Sequence, residues 1–348
     1  MSGILERKKF REVNLNDPFF DSLKFDYREF AAWFKRKGDE EAYLYYENGF
    51  VQGFLYFKVE SGPITDVEPV ISGKRLLKIG TLKINPHGTR LGERFIKKAI
   101  DYAIVMGVEQ CYVTVFEKHK ALVDLFEKYG FSRHGVKVTV NGTELVFVKS
   151  LTTFTGEILT DYPLISIKGN NKYILSIYPQ YHSVMFPDSI LRNENVNILE
   201  DVSYTNSIHK IYVTRMKVFP LVRGDILVMY RTKDEGKKAE YSSVVSSVCV
   251  VEEVRYQTEF ENFEAFYSYA TKYSVFDRND LQYWYNRGGC YTIKMTYNAA
   301  LSKRLIRQKL IEQIGIDRNI YWGFFQITDE QFVRILEEGG VLESIVID

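Results

Sequence analysis

The 348-residue chain holds only three cysteines, Cys111, Cys249 and Cys290, far apart and without paired spacing. That excludes a disulfide framework and a cysteine-based zinc site, and no metal is expected. No apolar run approaches the roughly 18 residues of a membrane span. The opening MSGILERKKFREVNL lacks the apolar stretch of a secretory signal. The expectation is a cytoplasmic protein with no membrane partner. Prolines number only 8, and neither a repeat nor a low-complexity segment interrupts the chain. Charge of one sign is also missing. The net charge is +1, from 46 Lys+Arg and 45 Asp+Glu. This excludes the strongly basic surface of a non-specific nucleic-acid binder.

What is present is a globular composition, 45% hydrophobic and 15% aromatic, enough for two domains of ordinary size. AYLYYENGFVQGFLYFKVE (42–60) reads as a hairpin turned on Asn48-Gly49. LLKIGTLKI (76–84) reads as a strand. From Leu91 to about Met106 the pattern is helical, with Leu91, Phe95, Ala99, Ile100 and Ala103 on one face and Lys97, Lys98 and Asp101 largely off it. Gly107 is a natural stop. QCYVTVF (110–116) is a strand, HKALVDLFEKYGF (119–131) a helix, and VKVTVNGTELVFVKSL (136–151) a second hairpin. The order predicts a mixed α/β (α+β) domain over residues 1–152. After Leu151 the grammar changes. Strands are expected in IHKIYVTRM, GDILVMYRT and SSVVSSVCVVEEVRY, and a helix near 261–272. An aromatic strand region is expected at 281–297, and helices in LSKRLIRQKLIEQIG and TDEQFVRILEEG. Residues 160–348 are therefore expected to form a small β-barrel decorated by helices, with the boundary near 150–160.

The strand–loop–helix LKINPHGTRLGERFIKKAIDYA, followed by QCYVTVFEKHKALVDLFEKYGF, resembles the core of GNAT-type acyl-CoA N-acyltransferases. In that family an Arg/Gln-x-x-Gly-x-Gly/Ala loop turns backbone N–H groups and a helix N-terminus towards the pyrophosphate of acetyl-CoA. Here the slots read His87, Gly88, Thr89, Arg90, Leu91 and Gly92. His87 stands for the usual Arg/Gln and Arg90 for the first glycine. The resemblance implies an acetyl-CoA site built from Leu82, Ile84, His87, Gly88, Thr89, Arg90, Leu91, Gly92, Glu93 and Phe126. Gly92 would permit close backbone approach, and Arg90 would add a cation.

Phe126 occupies the slot where family members often carry a tyrosine acid, and a phenyl ring cannot protonate a thiolate. Tyr129 is nearby, at a spacing that suits core packing better. As general base, Glu47, Asp66, Glu68 and His119 are candidates, and His134 is placed at the cleft edge. None forms a diagnostic pair.

In the second half, VRGDILVMYRT, VVSSVCVVEEV and NIYWGFFQIT resemble a PUA-like barrel of the ASCH or EVE kind. Such barrels often bind RNA or a modified nucleotide through aromatic and polar groups. The resemblance points to Tyr230, Arg231, Trp284 and Arg287, beside Gly288-Gly289, as nucleic-acid-binding residues. Filling of the core by these aromatics is the rival reading. Together the two resemblances imply an acetyl-CoA-dependent N-acetyltransferase whose acceptor amine is RNA-linked, on an aminoacyl-tRNA or a base, or belongs to a translation-related protein. A non-catalytic CoA-binding or nucleic-acid-binding regulator is the alternative.

Overall fold

A computed structural model describes residues 4–85, 90–187 and 207–347. The chain divides into two compact units, one up to Thr155 and the other from Gly156.

The first unit is a seven-stranded sheet in the order β1-β2-β3-β4-β5-β7-β6. Its strands are β1 (Ile4–Lys9), β2 (Glu41–Glu47), β3 (Phe50–Ser61), β4 (Arg75–Ile84), β5 (Gln110–Val115), β6 (Ser132–Thr139) and β7 (Gly142–Ser150). Helices α1 (Asp21–Asp26) and α2 (Phe30–Arg36) precede β2; α3 (Leu91–Val105) joins β4 to β5, and α4 (Lys120–Lys128) follows β5. Every pairing is antiparallel except β4–β5. A parallel pair needs a crossover, and α3 supplies it. Asn48 and Gly49 both take positive φ, 52° and 81°, the two left-handed positions of a tight hairpin turn. α1 and α2 cover one face of β1–β3 with a cluster of aromatics that includes Phe10, Phe20, Phe34, Phe54 and Tyr56. Leu91, Phe95, Ala99, Ile100 and Ala103 of α3 are buried, as the helical spacing predicts. Lys97 is buried as well, contrary to its expected place off the apolar face, and pairs with Asp101 at 2.6 Å. Arg94, also buried, lays its guanidinium 5.3 Å from the centre of the Tyr45 ring on β2.

The second unit contains a six-stranded sheet in the order β10-β13-β12-β11-β9-β14 and a two-stranded sheet of β8 and β15. These strands are β8 (Ile165–Ser166), β9 (Lys172–Ile177), β10 (His209–Thr214), β11 (Ile226–Arg231), β12 (Val244–Tyr256), β13 (Tyr291–Ile306), β14 (Phe324–Ile327) and β15 (Val346–Ile347). Its helices are α5 (Ile158–Asp161), α6 (Pro179–Met185), α7 (Ala239–Ser242), α8 (Phe263–Ala270), α9 (Arg278–Arg287), α10 (Arg307–Glu312) and α11 (Asp329–Gly339). The long β12–β13 ribbon changes register three times, and such bulges bend a sheet. The bend brings edge strand β10 back over β9: Tyr212 Oη donates to the Ser176 carbonyl at 3.4 Å. Side chains from β9, β10, β11, β12 and β13 share one core, into which α8 and α9 insert Phe266 and Leu281. The sheet is thus barrel-like, although β10 and β14 do not pair with each other among the described strands. The Gly224-Asp225 turn is pinned by the Asp225 carboxylate, which accepts from Val222 N (2.9 Å) and Asn171 N (3.1 Å).

Two sequence expectations are corrected here. Residues 281–287 are helix α9, not strand. The Asp277 carboxylate caps it by accepting from Asp280 N at 2.8 Å, and Gly288 ends it at φ 68°. The cap and the stop outweigh the β preference of Tyr283, Trp284 and Tyr285. Residues 301–306 continue β13 rather than starting a helix, because Leu305 pairs with Val245 across β12. Only Arg307–Glu312 is helical there.

Candidate acyl-donor site

The site begins with a defect in the first sheet. β4 and β5 pair only from Leu76–Gln110 to Ile79–Val113. Beyond that rung β5 pairs with β7 alone, while β4 runs on to Ile84 beside β3. The two parallel strands therefore part. The register of β3 against β4 shifts at this level, between Tyr56 and Phe57. Gly80 fits because a Cβ there would lie 2.9 Å from the Tyr56 ring. Asn85 N donates to Gln52 O on the β3 side at 2.9 Å. Strand amides alternate in direction, so the N–H groups of Leu82 and Ile84 turn towards the opening.

α3 starts at the far end of the opening. Its N-cap, Arg90, is left-handed at φ 54° and ψ 25°. This conformation costs an L-residue about 1–2 kcal/mol and is free to glycine. The backbone thus keeps the form expected of a glycine loop although the residue has changed. Gly92 has a second reason to be glycine: a Cβ would meet Leu125 Cδ2 of α4 at 2.7 Å and Ile84 Cδ1 at 3.3 Å. The sequence reading ascribed this glycine to ligand approach; packing of α3 on α4 and β4 requires it too. His87, Gly88 and Thr89 lie outside the described residues. Leu91 and Glu93 are buried in the first turn of α3.

α1 spans the parted strands on the face opposite α3. At its start, Lys83 of β4 donates to the Phe19 carbonyl and to Ser22 Oγ (2.6 Å). Burial lowers the Lys83 pKa, against the pull of Asp21, Asp26 and Asp17. At its end, Lys118 (2.5 Å) and His119 Nε2 (3.1 Å) both reach the Asp26 carboxylate, which is only 7% exposed. Tyr27 packs on Phe116, ring centres 5.2 Å apart, and its Oη donates to Glu144 Oε1 at 2.6 Å. Burial, then Glu144, raises the Tyr27 pKa, so its phenol stays a neutral donor. Asp26, Tyr27 and Glu144 were not picked out from the sequence. Asp26 and Tyr27 sit in an unremarked connection, and only tertiary packing brings them to residues some 90 and 117 positions away.

Of the expected catalytic residues, His119 alone stands beside the parted strand ends, as N-cap of α4. Glu47 pairs with Phe50 at the end of the first hairpin. Glu68 bridges Val136 of β6 through its backbone, and its side chain is exposed. Asp66 is bound by Lys137, and His134 Nε2 lies 2.9 Å from the Pro69 carbonyl. Phe126 and Tyr129 are both fully buried, and Phe126 packs on Phe131 at 5.1 Å.

In the second unit, Tyr230 and Arg231 do not offer the expected recognition surface. Tyr230 is buried against Trp322, 5.4 Å between centres, and Arg231 is buried with Asp234 at 2.6 Å. Trp284 packs against the core. Arg287 is exposed and stacks on exposed Tyr283 at 5.1 Å. Tyr283 went unnoticed because the i, i+4 spacing matters only once α9 is known to be a helix.

No protein-family profile and no curated protein matches the chain. Solved structures of both expected kinds do. The ASCH protein of Zymomonas mobilis is 9% identical, with TM-score 0.34, covering 48% of this chain and 94% of that one. A GNAT-family acetyltransferase from Streptococcus pneumoniae is 14% identical, with TM-score 0.32, covering 42% and 98%. A chain of the NatC complex bound to Gag peptide and CoA is 16% identical, with TM-score 0.33, covering 44% and 100%. These are likenesses of fold.

Proposed function

We propose that the chain is an acetyl-CoA-dependent N-acetyltransferase, with residues 1–152 as the acyltransferase domain. Residues 160–348 would present the acceptor. The observation that carries this reading is the parting of β4 from β5 beyond Ile79. It leaves a slot edged by two inward-turned amides, with the N-terminus of α3 at its end. Acetyl-CoA is a co-substrate that supplies a thioester. Arg90 and the first-turn amides of α3 would hold its pyrophosphate, and the Leu82 and Ile84 N–H groups would polarise the thioester carbonyl.

A neutral amine attacks the carbonyl carbon, the C–N bond forms, the C–S bond breaks, and CoA leaves as the thiolate. Phe126 has no proton to give, so solvent protonates the thiolate. His119, oriented by Asp26, would take the proton from the amine. The amine is proposed to be RNA-linked, with exposed Tyr283 and Arg287 as a stacking pair for the RNA, or to belong to a translation-related protein. The test is incubation with radiolabelled acetyl-CoA and a mixed extract, followed by separation of RNA from protein. His119→Ala should slow transfer to either by roughly 10²-fold or more while leaving acetyl-CoA affinity unchanged. Acetyl-CoA binding with no transfer to any fraction would favour the regulatory alternative, which the buried Phe126 supports.

A further inference from the structure

The β5–β7 pair ends at the rung Val115–Leu145. One step beyond it stand Phe116, after β5, and Glu144, before Leu145 on β7. Tyr27 joins the two, with its ring on Phe116 and its hydroxyl on Glu144. The Glu144 residue is only 4% exposed, yet no cation meets its carboxylate among the described residues. Its hydrogen bond comes from the neutral Tyr27 hydroxyl, on Oε1 alone. Lys137, directly opposite on β6, turns to Asp66 instead. The neighbouring carboxylate is served differently: Asp26, next to Tyr27 in the chain, takes both Lys118 and His119. A carboxylate has several acceptor positions, and one buried without a cation is costly to the fold. An ammonium already finds a place in this group. Lys118 Nζ lies 5.4 Å from the centre of the Phe116 ring, on a side chain that is itself half exposed. The base proposed above belongs to the same group: His119 N donates to the Phe116 carbonyl at 3.0 Å.

We propose that Glu144, with the Tyr27 and Phe116 rings, is a subsite for a second cationic group of the acceptor, an ammonium carried by the same molecule as the amine that reacts. The inference deepens the acetyl-transfer reading given above and rests on it. It names the acceptor's chemical class: a diamine, either free or as the lysyl end of a larger molecule. The second ammonium donates to Glu144 Oε2, which Tyr27 leaves open, and lies against the half-buried rings of Tyr27 and Phe116, as ammonium groups do on aromatic faces. No bond is made or broken there. Glu144 selects and orients the acceptor, while proton removal stays with His119. Lys118, whose ammonium shares the Phe116 ring, repels the second ammonium and weakens its binding.

The experiment measures binding to the full chain by calorimetry at low salt. Putrescine and cadaverine are compared with butylamine and pentylamine, and lysinamide with norleucinamide; acetyl-CoA is titrated separately. The expected result is that a diamine, or lysinamide, binds roughly tenfold or more tighter than its partner with one amine fewer. Preference for putrescine or cadaverine assigns a free diamine; preference for lysinamide alone assigns the lysyl end of a larger acceptor. Glu144→Gln still offers the Tyr27 hydroxyl an oxygen but removes the charge. It should abolish the preference and leave both monoamine and acetyl-CoA binding unchanged. Lys118→Ala should strengthen diamine binding. Equal or undetectable binding of the paired amines, or a preference that survives Glu144→Gln, overturns the inference and spares the acetyl-CoA reading. Absence of acetyl-CoA binding overturns both.

Discussion

In the first unit, Lys83 stands at the opening between two strands, and Lys78 lines a cavity beside Glu60 and Asp66 without an ion pair to either. In the second, the comparable charges are sealed inside the sheet and matched. Glu252 on β12 lies beside His209 of β10, and its other oxygen meets Lys294 of β13 at 2.8 Å. Burial works to raise the Glu252 pKa, but His209 and Lys294 outweigh it and hold the carboxylate charged. The contrast separates charge left at an open site from charge spent on the fold. A parallel pair that opens leaves backbone and side-chain groups to be completed from outside. A bent antiparallel ribbon completes its own.

The largest effect tests the sealed side. Glu252→Ala leaves buried His209 and half-buried Lys294 without their carboxylate. It should cost about 3–5 kcal/mol in denaturant unfolding, whereas Lys78→Met, at the open side, should cost less than about 1 kcal/mol. Equal losses would erase the distinction.

The next concerns pH. His182 is fully buried on α6, with Nε2 2.6 Å from Ser246 Oγ. Burial, then Arg231 and Arg304, push its pKa down to about 3 from 6.5. Between those values the unfolded chain binds a proton that the folded chain refuses. Stability is therefore undiminished above pH 6.5 and falls as pH drops from 6.5 towards 3. By pH 5 the loss should be about 2 kcal/mol. The pH dependence of unfolding should flatten in His182→Gln by that amount.

A smaller effect is expected at the helix that closes the slot. Gly92→Ala puts a methyl against Leu125, the movable end of a side chain, and should cost about 1–2 kcal/mol. Gly92→Asp would therefore confuse folding with binding. Smaller still, Arg90→Gly relieves a left-handed arginine. It should raise stability by about 1 kcal/mol while weakening acetyl-CoA. Phe126→Tyr should change turnover by less than about tenfold, because an acid is not needed for a leaving thiolate.

The strand and the helix on either side of the loop were legible because their signals are local: the apolar run LLKIGTLKI, the helical period after Leu91, and the glycine stop at Gly107. The hairpin turns were legible for the same reason. The parting of β4 from β5 was not, since it depends on β5 following β7, with which it pairs along its whole length, while β4 follows β3. Nor were Asp26 and Glu144, which matter only through contacts made across the sheet. In the second unit, aromatic composition misled twice. Tyr230 looked like a recognition residue and is core, and the aromatic run 281–287 looked like a strand and is a capped helix. Burial of an aromatic is decided by which face the sheet turns inward, and the bulges of β12 and β13 set that.

Calorimetric titration of the intact chain with acetyl-CoA tests the central claim most directly. The account predicts one saturable site per chain, weakened by roughly tenfold or more in Arg90→Glu, whose reversed charge would face the pyrophosphate. Heat indistinguishable from dilution, or equal binding by wild type and Arg90→Glu, would contradict it.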